Sequence, residues 1–550
     1  MEGELFTVLD RRPQIDSPTM KMTQLKSPLI LLAFSVLNLS TTPVQAGKAW
    51  GFPVYAELVL GQPDFVSTGQ NASADHVADP QGVCVDPATG KVFVADHFNH
   101  RVLRYASADS LANGAAAEIV LGQSGFGFSV KDTSPTAMNE PFDVAIDPDG
   151  NLWVADAFNH RVLRFSDAAT ITTGAAADLV IGQADFVSST SGSDENQLKY
   201  PTALAFDAEG NLYIADADNA RVIIHLKPNA KANGARADVM LGQAAYGPPS
   251  FMTSQQILHY PGGLVVDANG TLFVSSYATH RILVWENAAT LGDGAPADRV
   301  IGQPNFTAMA DGLSQSEFFI PKHLEIDEEG TLLVADQGNH RILVFRNAAS
   351  LSGEAPADAV YGQRDFVSND SGLSDSEFKF PGGVGLDNAG RLIVGDRDNG
   401  RVLFFSVRRS QPDVSIIPDS GARIGENLLD STGASQSVTV KTTSRKMFYH
   451  LGIANDGNGV DAFVLRGSSS APKFRLGYYT GAGANITASV LSGLHLSEEL
   501  EAGAEEDYEI RLKPKKKSKK AKATVFFSAE SLTDGEKDLV LMTTKYTPRS

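Results

Sequence analysis

"PFDVAIDPDGNLWVADAFNHRVLRF", residues 141–165, decides the fold. It divides into an alternating strand, an Asp-Pro-Asp-Gly-Asn turn, a second strand ending at Asp156, a short loop, and a third strand. The same order recurs behind Pro80, Pro141, Pro201, Pro261, Pro321 and Pro381, at a spacing of about sixty residues. A fixed period of this kind means a repeat architecture.

A further strand ending in Gly-Gln recurs as "LVLGQ", "IVLGQ", "LVIGQ", "VMLGQ", "RVIGQ" and "AVYGQ", closing at Gln62, Gln123, Gln183, Gln243, Gln303 and Gln363. The first of these precedes the first proline unit, and none follows the last. The chain thus holds six three-strand blocks and six fourth strands, offset by one. Pairing the two ends resolves both deficits. Four-stranded units set radially form a β-propeller, which leaves only short, protected sheet edges. The expectation is an all-β, six-bladed propeller over residues 47–408, its last blade completed by the strand near residues 56–62.

The units resemble the NHL repeat across roughly residues 56–405, with "ADHFNHRVL", "ADAFNHRVL", "ADADNARVI", "SSYATHRIL", "ADQGNHRIL" and "GDRDNGRVL" at the signature step. After Phe405 the repeat stops. Residues 409–425, which take in most of "RRSQPDVSIIPDSG", read as a linker or first strand. Residues 426–550 then carry alternating strands such as "KMFYHLGIAN", "KFRLGYYT" and "ATVFFSAES", which read as an immunoglobulin-like β-sandwich. "NDGNGVDAFVLRG", "YYTGAGANITASV" and "SAESLTDGEKDLV" look like the Ig-like modules of large surface and secreted proteins of environmental bacteria.

Residues 1–46 read as a signal peptide: Lys21 and Lys26 precede an apolar run from Leu29 to Leu39, and Val44-Gln45-Ala46 offers a cleavage site before Gly47. Met20 or Met22 is an alternative start. A single cysteine, Cys84, excludes an intramolecular disulfide and suits a bacterial protein that is secreted, periplasmic or at the cell surface. No later stretch is long and apolar enough to span a bilayer as a helix. The net charge of −19 excludes a general nucleic-acid binder, because such affinity comes from phosphate neutralisation by clustered Lys and Arg. One local exception is the lysine run from Lys513 to Lys522. It reads either as a solvated hairpin loop or as a polyanion or cell-envelope contact.

Nucleophile elbows, phosphate loops, His-Glu-x-x-His and paired cysteines are all missing from the sequence. "DPDGN" at Asp147 imitates a calcium loop, but "DAEGN", "DANGT", "DEEGT" and "DNAGR" occupy the equivalent hairpin turn elsewhere. His100, His160, His280 and His340 hold one repeated position in different blades and read as structural. Asp96 with Arg101, and Asp156 with Arg161, read as ties for the loop of each blade.

Function is sought where one blade departs from the rest. Two residues after each proline stand Gly82, Asp143, Ala203, Gly263, His323 and Gly383; two further on stand Cys84, Ala145, Ala205, Val265, Glu325 and Gly385. Strand alternation puts both sets on the face lining the central channel. Asp143, His323 and Glu325 are therefore candidate site residues, either as ligands for calcium or zinc or, for His323 and Glu325, as an oriented base.

The loop between second and third strands reaches the same mouth and varies freely, at His97, Phe98, Asp218, Tyr277, Gln337, Arg397 and Asp398, as ligand selection requires. The entering connections "VSSTSGSDENQLKY" and "VSNDSGLSDSEFKF" add an acidic rim suited to cations or cationic peptides. What the NHL resemblance implies is an exported scaffold binding a protein, peptide or glycan at its mouth. The alternative is a metal-dependent lyase or lactonase-type hydrolase, similar to the peptidylglycine amidating lyases or the gluconolactonase-like and paraoxonase-like propellers, with its site in the channel.

Overall fold

The computed structural model describes residues 55–406, 412–417, 437–442, 446–455, 461–471, 473–500, 504–515, 520–531 and 537–547. The expected signal peptide, and Lys516, Lys517 and Lys519 of the lysine run, lie outside the described residues. Each repeat folds into an antiparallel sheet whose strands follow sequence order. The first contains Pro80–Val85, Lys91–Asp96, Arg101–Ser107 and Ile119–Leu121. Equivalent sheets open at Pro141, Pro201, Pro261 and Pro321.

The sheet opening at Pro381 takes its outer strand from the other end of the repeat region. Leu58–Leu60 pairs antiparallel with Arg401–Phe405, with Leu58 opposite Phe404 and Leu60 opposite Val402. The opening strands also stand side by side, Pro80–Val85 lying between Pro141–Ile146 and Pro381–Leu386.

Apolar residues on both faces of the second and third strands are buried because each sheet is packed between two others. One cluster joins Phe93 and Ala95 to Val154 and Leu163; another joins Leu60 and Phe404 to Val92 and Leu103. The core is thus divided among the seams between sheets. Burying one Leu, Val or Phe side chain in such a seam contributes about 1.5–3 kcal/mol.

Polar ties recur, an Asp–Arg pair joining the loop in five of the six units. The Asp96 carboxylate, fully buried, accepts from Arg101 Nε at 2.6 Å, from Asn99 and from the Ala78 N–H, fixing the single-turn 3₁₀ segment His97–Asn99 between the strands. The repeated glutamine locks the next connection. The Gln123 amide nitrogen, Nε2, donates to His100 O at 2.9 Å, and Gln62 makes the equivalent bond to Gly400 O at 2.7 Å, across 338 positions of sequence. The repeated histidines accept rather than ligate: the N–H groups of Glu140, Tyr200, Ile320 and Phe380 donate to Nδ1 of His100, His160, His280 and His340.

Beyond the repeats, two sheets enclose one core. The first runs, in spatial order, Pro412–Ile417, Met447–Asn455, Glu505–Pro514 and Phe474–Thr480. The second runs Ser437–Thr442, Lys537–Tyr546, Ala521–Ser531, Phe463–Gly467 and His495–Leu496. Leu451, Tyr478 and Ile510 from one meet Leu465, Phe527 and Val540 from the other. Pro412–Ile417 is thus paired within the sandwich, against Met447–Asn455. Among the described residues no helix is long and apolar enough to cross a membrane.

Candidate ligand site at the channel mouth

Each opening strand carries an irregularity immediately after its proline. Pro321 pairs with Asp336 and Leu324 with Val334, so the first strand holds one extra residue there. A bulge of this kind re-aims side chains. Simple alternation singles out His323 and Glu325, but the bulge also turns Lys322 toward the mouth.

One step below the mouth, Asp143 and His323 meet across the channel with His323 Nε2 3.3 Å from Asp143 Oδ1. Residues from opposite sides of the ring thus come within hydrogen-bond reach. The flanking positions are small because the pair fills the space: a Cβ on Gly82 would lie 2.0 Å from Asp143 Oδ1. The pair is nonetheless fully occupied. Asp143 accepts the N–H groups of Val144 and Leu204, both at 2.8 Å, and His323 Nδ1 accepts from Val384 N at 3.4 Å. Burial works against the imidazolium, but the adjacent Asp143 carboxylate outweighs it and holds the His323 pKa above its ordinary value.

Glu325 stands further down, half-buried, its Oε1 accepting the Ile326 N–H at 3.1 Å, in a cavity of about 350 Å³ lined largely by Val, Ala, Leu and Ile. Burial pushes its pKa up to about 7, against the pull of His323. Among the described residues no three His, Cys, Asp or Glu side chains are grouped to hold a metal ion. Asp143, His323 and Glu325 do not fit calcium or zinc, since both ring nitrogens and both Asp143 oxygens are already engaged. The same engagement leaves His323 no free nitrogen with which to act as a base.

The mouth is a separate cavity of about 250 Å³. His97, Phe98, Asp218, Tyr277 and Arg397 all line it, together with Lys322, which the sequence reading missed. Lys322 Nζ lies 4.3 Å from the centre of the Phe142 ring and 5.5 Å from that of Tyr277. Burial, reinforced by nearby Arg397, lowers its pKa to about 8. Arg397 donates through Nε to Asp79 at 2.5 Å. His97 is buried, donates through Nδ1 to Pro141 O at 3.2 Å, and has its pKa pushed down by burial to about 4.

Phe98 is half exposed and Asp218 stands 3.6 Å from Lys199. Gln337 lies outside this cavity, buried, donating to Pro381 O, and Asp398 sits 3.9 Å from Lys379. The expected acidic rim does not form the cavity wall. Asp194 and Glu195 of "VSSTSGSDENQLKY" do not line it, and Glu195 pairs with Arg236 instead. The missed signal was the residue directly after each proline, Gln81, Phe142, Thr202, Gly262, Lys322 and Gly382, where one unit alone supplies a cation.

The NHL repeat family matches residues 78–105 and 138–165. The chain is similar to NHL repeat-containing protein 2 of Gallus gallus, 28% identical over 301 residues, covering 48% of this chain and 38% of that protein. It is also similar to Teneurin-1 of Caenorhabditis elegans, 22% identical over 304 residues, covering 49% of this chain and 11% of that protein. The matches thus span well under two thirds of these relatives. Among solved structures, a streptogramin B lyase aligns at 9% identity and a TM-score of 0.36, covering 66% of this chain and 100% of that one. A gluconolactonase from Xanthomonas campestris aligns at 13% identity and 0.38, covering 67% and 99%. The chain carries NHL repeats in a propeller-like, all-β arrangement.

Proposed function

We propose that the protein is an exported binding or scaffold protein, a closed six-bladed propeller that takes a peptide, protein or glycan ligand at its mouth, followed by an Ig-like module. The observation that carries this reading is the cavity in which unlike side chains from different repeats converge on Lys322. That ammonium rests on aromatic rings and has no carboxylate within ion-pair distance among the described residues. A cation held this way favours a ligand that presents an acidic group to Lys322 and an apolar or ring surface to Phe142 and Tyr277.

Arrays of peptides and of neutral and acidic glycans, probed with the chain and with Lys322→Met, test it. Acidic hits that disappear with Lys322→Met support the mouth as the binding site; hits retained unchanged by the variant overturn it. Export is tested separately by sequencing the mature N-terminus, expected near Gly47. The enzymatic alternative rests on a channel metal site that the geometry of Asp143, His323 and Glu325 does not supply.

A further inference from the structure

The outward face of the sandwich sheet built from Met447–Asn455, Glu505–Pro514 and Phe474–Thr480 carries a second cavity, of about 360 Å³. Register sets its side chains in rows. Phe448 stands opposite Arg511 and Arg511 opposite Gly477; one row along, Lys513 stands opposite Arg475. Gly477 keeps the groove open, because a Cβ there would press on the Tyr479 ring at 3.0 Å. Arg511 lies flat on Tyr479, its guanidinium carbon 3.7 Å from the ring centre, and is anchored by Glu509. Phe448 is 48% exposed, an open ring face beside that guanidinium.

Arg475 and Lys513 are the decisive pair. Like charges directly opposite on neighbouring strands are destabilising, and among the described residues neither has an ion-pair partner. Lys446 edges the same groove, and the sequence continues past Pro514 into Lys515, Lys516 and Lys517. In a chain of net charge −19, the facing Arg475 and Lys513 form a local positive pair that an outside carboxylate would complement.

We propose that this groove binds an acidic polysaccharide, with uronate carboxylates on Arg475, Lys513 and Arg511 and a sugar ring face on Phe448. Neighbouring strands stand about 4.8 Å apart, so Arg475 and Lys513 present positive charge at roughly the rise of one sugar unit. A nucleic acid is less well matched, since extended base stacking needs successive open rings and only Phe448 offers one. The proposal is independent of the mouth cavity.

The test is binding of polygalacturonate to the full chain, beside a neutral glucan, single-stranded DNA and anionic lipid vesicles. The chain is expected to bind polygalacturonate and not the glucan. The double variant Arg475→Ala, Lys513→Ala is expected to lose affinity by about tenfold or more, as removal of charge-assisted contacts implies, without a lower unfolding temperature. Phe448→Ala is expected to weaken binding as well, which simple ion exchange does not predict, and Lys322→Met to leave it unchanged. The proposal is overturned if polygalacturonate fails to bind, if the double variant binds it equally, or if DNA or vesicles bind more tightly with Phe448→Ala inert.

Discussion

Asp143 and His323, 180 positions apart in sequence, close the channel by a single side-chain contact of 3.3 Å. The contact matters because each partner also satisfies backbone N–H groups from a neighbouring repeat, Leu204 for Asp143 and Val384 for His323. It therefore joins four repeats at one level of the channel.

Asp143→Ala is expected to destabilise the chain by about 2–4 kcal/mol, because it strands two backbone donors and the imidazole together. Urea unfolding measures this. NMR titration gives a second readout: without the carboxylate, burial of His323 is opposed only by Glu325 and the Val384 contact, so its pKa is expected to fall. An unchanged His323 titration contradicts the assigned contact.

Acid should loosen the joints between repeats. Burial lowers the pKa of His100, His160, His280 and His340, each of which must keep Nδ1 unprotonated to accept a backbone N–H. A depressed histidine contributes stability that is fully present above the unfolded value of 6.5 and is lost as pH falls through the folded value. Thermal unfolding is expected at lower temperature near pH 5 than near pH 7.5, with a smaller difference in His160→Asn.

Glu325 works in the opposite direction. Its folded pKa of about 7 exceeds the ordinary 4.5, so the fold favours the neutral acid; that contribution is complete below the unfolded value and is lost as pH rises through 7. Glu325→Gln should therefore raise the unfolding temperature near pH 8 and change it little near pH 4. Equal effects at both pH values are incompatible with this reading.

One repeat lacks its carboxylate. Ser276 replaces the aspartate found at Asp96, Asp156, Asp216, Asp336 and Asp396, leaving Arg281 Nε buried without a partner and the guanidinium pKa pushed down by burial to about 10. Ser276→Asp restores the buried pair and is expected to stabilise by about 1–3 kcal/mol, read from the denaturant midpoint. The same change made in combination with Arg281→Met should be destabilising, since the new carboxylate is then buried alone.

The repeat was legible because period, turn chemistry and strand alternation all point the same way: Pro141, the Asp147 turn and Gln123 each have counterparts at fixed spacing. His97, Phe98, Asp218, Tyr277 and Arg397 were legible at the mouth because loops between strands return to the rim. Lys322 was not, because period-two alternation assigns its side chain away from the channel and only the bulge between Pro321 and Leu324 reverses that. The Asp143–His323 contact was hidden for a different reason. The width of a channel follows from how closely the opening strands approach, which glycines such as Gly82 and Gly383 permit but do not announce. The groove at Phe448 and Arg511 depends on register between strands far apart in sequence.

The seam between Leu58–Leu60 and Arg401–Phe405 has a mechanical meaning. The chain enters this pairing at Leu58 and leaves it beyond Phe404, at the same end of the ladder. Tension between the two flanking segments therefore peels the residue pairs one after another, from Leu58 and Phe404 toward Leu60 and Val402, instead of shearing them all at once. The Gln62–Gly400 bond is the last to part. This pairing is therefore set to part like a zipper, one residue pair at a time.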